Sequence, residues 1–215
     1  VDTLADNSYV CRPAGTSPFP AVLYNHGGLG LVVGGNLLET CTALASAGYL
    51  ARSEQRPLSD SPSIVGHLDE VINALAELRS HPDADTSRIG IMGYSRGGLL
   101  ALHTALQRPA DLHAIILMAP APGGGPTTMD NALEDVSPIA APVRLLVSEN
   151  DGPPAQRADH VDICQQIRTK LQDAQKEVEL TIYPPFRDDG HELFFEVESI
   201  YWPDVLSFFS QHLKM

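Results

Sequence analysis

The sequence predicts an α/β fold with a mostly parallel central sheet and helices on both faces. Three observations predict it. Short apolar runs alternate with segments of helical period along the whole chain, the pattern of a sheet assembled from strand–helix–strand units. The run Ala114 to Met118 is apolar throughout, as a strand covered on both sides must be. Chemistry-bearing loops follow Asn25, Met92, Val147 and Tyr183, at the carboxyl ends of strands where such sheets bind ligands.

Ala21 to Asn25 reads as the first clear strand and ends in the turn Gly27-Gly28. Asn36 can cap a helix carrying Leu37, Leu38, Cys41 and Leu44, closed by Gly48. Tyr49 to Ser53 is the next strand. Ser61-Pro62 opens a helix with proline at its first position. Its apolar residues Ile64, Leu68, Val71, Ile72, Leu75 and Leu78 recur near the helical period, and His81-Pro82 ends it. Arg88 to Met92 is a strand that runs straight into Gly93-Tyr94-Ser95-Arg96-Gly97-Gly98, then a helix through Leu99, Leu102 and Leu106. After the strand at Ala114 to Met118, residues Ala119 to Ser137 read as irregular. Val143 to Val147 is a strand, Val161 to Leu171 a helix, Val178 to Tyr183 the last strand, and a C-terminal helix starts around Pro203.

The 215 residues suit one domain over the whole chain, with 43% hydrophobic and 19% charged residues, a composition that folds. The formal net charge of -13 argues against nucleic acid and anionic membrane surfaces as partners, because both repel such a chain. No apolar run approaches the roughly 18 residues of a membrane span. Cys11, Cys41 and Cys164 are odd in number and widely spaced, neither a disulfide framework nor a zinc pattern, so three buried free thiols are expected. Acidity and unpaired cysteines fit a cytoplasmic protein. The polar start Val1 to Ser8 holds no signal core, although the lack of an initial Met leaves a removed leader open.

The strongest chemical signal is Gly93-Tyr94-Ser95-Arg96-Gly97 between a strand and a helix. A sharp strand-to-helix turn tolerates only small neighbours, hence the glycines, and it lifts the Ser95 hydroxyl out of the sheet. A serine hydroxyl needs a base. Of eight histidines, His191 lies in the turn Asp189-Gly190-His191-Glu192 after the last strand, where a loop can carry its ring over the nucleophile. The base needs an orienting carboxylate, and Asp151, after the strand Val143 to Val147, is placed to supply it. Asp188 and Asp189 share a loop with His191 and read as turn residues. The order Ser95, Asp151, His191 is one of the three known orders of a serine triad. The oxyanion hole should use the backbone N–H of Arg96 and one from Gly28 or Leu29.

For substrate contacts the candidates are Tyr94, Phe186 and His26. His26 reads first as a structural histidine fixing the glycine loop, and Phe194 and Trp202 read as core. The Arg96 side chain reads equally as a partner for an anionic substrate group or as a surface salt bridge. Arg56 reads as structural, and Glu54 is a lesser pocket candidate.

These features resemble the α/β-hydrolases, and more closely the dienelactone-hydrolase-like and prolyl-oligopeptidase-like esterases. The matching stretches are Phe19 to Gly28, Ala47-Gly-Tyr-Leu50, Asp85 to Gly98, Pro142 to Val147 with Asp151, and Gly190-His191. The resemblance spans nearly the whole chain and implies a serine hydrolase with Ser95 as nucleophile, Asp151 as acid and His191 as base. Dienelactone hydrolases proper carry a cysteine where Ser95 stands, which argues against dienelactone cleavage itself. The short segment Ala119 to Ser137 leaves no room for a folded cap, so a shallow site taking short-acyl or aryl esters is expected. A peptidase, amidase or thioesterase on the same triad, and a non-catalytic ligand-binding homologue, are the alternatives. The sequence has no His-Glu-x-x-His, so neither metal nor cofactor is expected. The expected partner is a small-molecule ester, and the protein a monomer or homodimer.

Overall fold

The computed structural model describes residues 1–28, 33–56, 66–125 and 127–214. An eight-stranded sheet forms the centre. Its strands are β1 (Asp2–Thr3), β2 (Tyr9–Cys11), β3 (Phe19–Asn25), β4 (Leu50–Glu54), β5 (Ala84–Tyr94), β6 (Ala114–Met118), β9 (Val143–Ser148) and β10 (Val178–Tyr183). A separate small hairpin holds β7 (Gly123–Gly124) and β8 (Thr127–Thr128). The helices are α1 (Leu37–Ser46), α2 (His67–Ser80), α3 (Arg96–Gln107), α4 (Met129–Glu134), α5 (His160–Asp173) and α6 (Trp202–Leu213). Strand order is β1-β2-β4-β3-β5-β6-β9-β10. All pairings are parallel except β1 with β2 and β2 with β4.

Helices cover both faces, and β5 shows it. A side chain at Gly90 would meet Phe209 and Leu213 of α6, whereas one at Gly93 would meet the backbone of α3. Residues three apart on a strand point to opposite faces. The central strands are accordingly buried along their length, β3 and β6 at every residue. That explains why β6 lacks alternation and why its bounds follow the apolar run.

Register aligns the carboxyl ends. Asn25 pairs with Gly93, Tyr94 with Met118, and Ser148 with Tyr183. The loops after β3, β5, β9 and β10 therefore open at one rim.

Several expectations need correction. Cys11 and Cys41 are joined in a disulfide with a Cα–Cα distance of 5.6 Å, and only Cys164 is a free, buried thiol. The pairing is tertiary: β2 and α1 both lie against β4, which brings together residues 30 apart in sequence. The helix expected from Ser61-Pro62 begins instead at His67. Gly66 before it has a left-handed φ of 90°, which no helix passes through; Ser61-Pro62 itself lies outside the described residues. The segment read as irregular holds the β7–β8 hairpin and α4, whose N-terminus is capped by the Thr128 side chain on the Asn131 N–H. The strands β1 and β2 were not expected. Asn36 does cap α1, accepting from the Glu39 N–H at 3.1 Å. Among the described residues no helix is long and apolar enough to cross a membrane.

Candidate active site

Ser95 sits between β5 and α3 with φ 52° and ψ -116°. Positive φ is costly for a residue with a Cβ and persists only where the surroundings enforce it. The enforcement is close packing. A side chain on Gly97 would collide with the backbone of Asn25 and His26, and one on Gly93 with the backbone of Gly97. The Ser95 N–H donates to Met118 O at 2.8 Å. The hydroxyl is thus fixed at the rim.

Asp151 follows β9 and is fully buried. His191 lies in a 3-10 helix, Gly190–Phe194, capped by Asp189, whose Oδ1 accepts the His191 N–H at 2.9 Å. The Tyr94 hydroxyl donates to His191 O at 2.8 Å, and its ring packs 4.9 Å from the imidazole. Asn150 ties the two loops together. Its Oδ1 accepts the Phe186 N–H at 2.9 Å while its Nδ2 donates to Arg187 O at 3.1 Å.

The result is a continuous chain of contacts. His191 Nε2 lies 3.0 Å from Ser95 Oγ, and its Nδ1 lies 2.9 Å from Asp151 Oδ2. Burial works to raise the Asp151 pKa, but the imidazoles of His160 and His191 beside it outweigh burial and hold the carboxyl below its ordinary value. Asp151 is therefore an anion at neutral pH. An imidazole between a hydroxyl and a buried carboxylate can accept the hydroxyl proton at one nitrogen while the other stays fixed.

A cavity of about 510 Å³ adjoins Ser95. Tyr94, Arg96 and Gly28 line it together with Leu99, Gly124 and Phe195. Arg96 is the first residue of α3, where the N–H groups have no partner within the helix. Gly28, with φ 88°, borders the same space. Leu29 lies outside the described residues.

Two expected substrate contacts stand elsewhere. His26 is buried away from the cavity walls. Its Nε2 accepts the Arg56 N–H at 3.3 Å and its backbone oxygen accepts from the Arg56 guanidinium at 2.5 Å. Burial first, then the Arg56 charge, push its pKa down to about 3, so it is neutral and structural. Phe186 is also absent from the walls and stacks under the Arg187 guanidinium, 4.7 Å away. The wall is supplied instead by Phe195, 42% exposed, which its place beside the buried Leu193 and Phe194 concealed. Arg96 is buried, with Nη1 3.3 Å from His67 Nδ1. It forms no ion pair among the described residues, so the salt-bridge reading of its side chain is not met there. Glu54 lies with Arg52 at 2.9 Å, apart from the cavity.

Besides Phe195, two contributors carry no signal in the sequence. Asn150 carries no motif. His160 opens α5 and places Nδ1 2.8 Å from Asp151 Oδ1. The donor atoms of Asp151, His160 and His191 lie within 4.8 Å of one another, a spacing that a metal ion can also span. Of the three, His191 also reaches Ser95 Oγ.

The fold and the rim site together define an α/β-hydrolase. Residues 60–213 match the model of the dienelactone hydrolase family, and the chain belongs to that family. It is similar to acyl-coenzyme A thioesterase 5 of Mus musculus, 33% identical over 97 residues, covering 43% of this chain and 22% of that protein. The chain thus spans about a fifth of the length of the curated relatives it matches. Among solved structures it is similar to the dipeptidyl peptidase 4 of Porphyromonas gingivalis, with a TM-score of 0.73 and 18% identity over 96% of this chain and 33% of that one. It is also similar to an esterase from Pyrobaculum calidifontis, with a TM-score of 0.66 and 19% identity over 82% of this chain and 69% of that one. At these identities the structural likeness speaks to fold alone.

Proposed function

We propose that the protein is a serine hydrolase cleaving carboxylic esters, with Ser95 as nucleophile, His191 as general base and Asp151 as the orienting acid. The observation that carries this is the contact chain from Ser95 Oγ through His191 to Asp151 at 3.0 and 2.9 Å, at the mouth of a cavity.

The steps follow from the geometry. His191 Nε2 takes the hydroxyl proton as Ser95 Oγ bonds to the ester carbonyl carbon. The carbonyl π pair moves to oxygen, which the backbone N–H of Arg96 stabilises with one from the Gly28 turn; losing one such donor costs about 3 kcal/mol of transition-state stabilisation. Collapse breaks the bond to the leaving alkoxide, which takes the proton from His191. Water then repeats the sequence on the acyl-enzyme. Asp151 keeps Nδ1 of His191 protonated and stabilises the imidazolium. The chemistry uses no cofactor.

The mostly apolar cavity supports short-acyl or aryl esters. The thioesterase relative supports a second reading, thioester cleavage on the same three residues, since sulfur and oxygen esters share the acyl-transfer route. Rates on matched p-nitrophenyl acetate, acetyl thioester and anilide separate these readings. For location, the Cys11–Cys41 bond favours an oxidising compartment over the cytoplasm expected from acidity.

Ser95→Ala is the direct test. Hydrolysis of p-nitrophenyl acetate should fall at least about 10³-fold with an unchanged circular dichroism spectrum. A variant that keeps most of its rate overturns the assignment. A chelator should leave the wild-type rate unaltered.

A further inference from the structure

We propose that His160 is a positioning residue for this reaction: a second imidazole that shares the Asp151 carboxylate and backs the ring of His191. The inference rests on the reading of Ser95, His191 and Asp151 given above.

A triad carboxylate needs one imidazole, and Asp151 meets two. His191 Nδ1 lies 2.9 Å from Oδ2, while His160 Nδ1 lies 2.8 Å from Oδ1. The His160 ring is buried, and its Nδ1 lies off the line of a straight hydrogen bond, so this contact is electrostatic at close range. The two rings also stack, with centroids 4.4 Å apart and planes 31° apart. The backbone holds the arrangement, since the His160 N–H donates to Asp151 O at 3.0 Å. Asp159 caps α5 and accepts from the Asp162 N–H at 2.9 Å, fixing the helix start that carries His160.

Two consequences follow for the step in which His191 becomes an imidazolium. The stacked ring limits rotation of His191 away from Ser95. The proximity to Oδ1 draws off part of the charge of a carboxylate that His191 Nδ1 meets at both oxygens, 3.0 Å from Oδ1 and 2.9 Å from Oδ2. The charged and titratable groups facing His160 are Asp151 from the loop after β9, His191 from the loop after β10, Asp159 as the cap of α5, and Cys164 one turn along that helix. Burial pushes the Cys164 thiol up, so it stays uncharged.

The experiment compares His160→Ala, His160→Phe and His160→Asn with wild type on p-nitrophenyl acetate. It measures kcat, KM, the pH profile of kcat/KM and the fraction of sites titrated by a fluorophosphonate. Misplacing a reacting group by about 1 Å can cost roughly 100-fold. The expected result is a kcat per titrated site lower by about 10-fold to 100-fold in His160→Ala, with KM within about twofold. The phenylalanine variant keeps the stacked face, and the asparagine variant keeps a polar group toward Asp151. Each should recover part of the rate. Without the His160 nitrogen, Asp151 presents a more concentrated charge to His191, so the acid limb should move to higher pH in His160→Ala and His160→Phe. An unchanged kcat per titrated site, or a loss with the acid limb unmoved in all three variants, overturns the proposal. If His160→Ala does not fold, the other two carry the same test. Failure of the function reading is distinguishable, because it shows as Ser95→Ala retaining the rate.

Discussion

Gly124 is the residue through which the size of the cavity can be tested. It lines the space beside Ser95, and a side chain there would meet nothing within 4 Å. Gly124→Leu should therefore fill the acyl space without disturbing the hairpin. We expect kcat/KM for a p-nitrophenyl octanoate to fall relative to the acetate by at least about 10-fold, the scale of one or two lost methylene sites. An unaltered octanoate-to-acetate ratio places the acyl group elsewhere. At this scale Ser95, Asp151 and His191 were legible because each follows a strand end and one is marked by flanking glycines. Their convergence within hydrogen-bond reach was not written in any local pattern. His160, Asn150 and Phe195 stayed hidden for a related reason. Their roles exist only once two loops distant in sequence lie side by side.

The disulfide is the clearest event at the scale of elements. It ties β2, antiparallel to both of its neighbours near one edge of the sheet, to α1, and closes a loop spanning 30 residues. A cross-link of that span stabilises by about 3.6 kcal/mol, mostly by restricting the unfolded chain. The Cys11→Ser, Cys41→Ser pair should lower Tm by roughly 5 °C or more, and dithiothreitol should lower wild type but not the pair. A wild-type Tm indifferent to reductant contradicts the bond. β6, buried at every residue, and β10, a half-exposed strand bounded by turn residues, both begin and end at the expected residues. The expected strand at Arg88 to Met92 stopped short on β5, whose first residues Ala84 to Ser87 are polar or small yet continue the strand, with Ala84 paired to Phe19. The strands β1 and β2 have two and three residues, too few for alternation to register. The cysteine pair was concealed by the odd count, since two of three cysteines cannot be matched without the fold.

Across the whole molecule, buried histidines set the response to acid. His26 is lowered from 6.5 to about 3, by burial and then the Arg56 charge. His67 is lowered to about 4, by burial and then the charges of Arg56 and Arg96. For such groups the unfolded chain binds the proton first, so stability is full above 6.5 and falls as pH drops toward the folded values. From His26 alone the loss at pH 5 amounts to about 2 kcal/mol. Asp151, held low, adds its own loss only in stronger acid, as pH falls below the ordinary carboxylate range toward its folded value. The urea midpoint should drop between pH 7 and 5, and less so in His26→Gln. Equal midpoints at the two pH values contradict the buried neutral state. The central claim, that the fold activates one serine through an imidazole and a buried carboxylate, is tested most directly by fluorophosphonate labelling with mass-spectrometric mapping. The account predicts a single adduct on Ser95 that forms at least about 10³-fold more slowly in His191→Ala. Labelling at another residue, or at Ser95 with an unchanged rate in that variant, would contradict it.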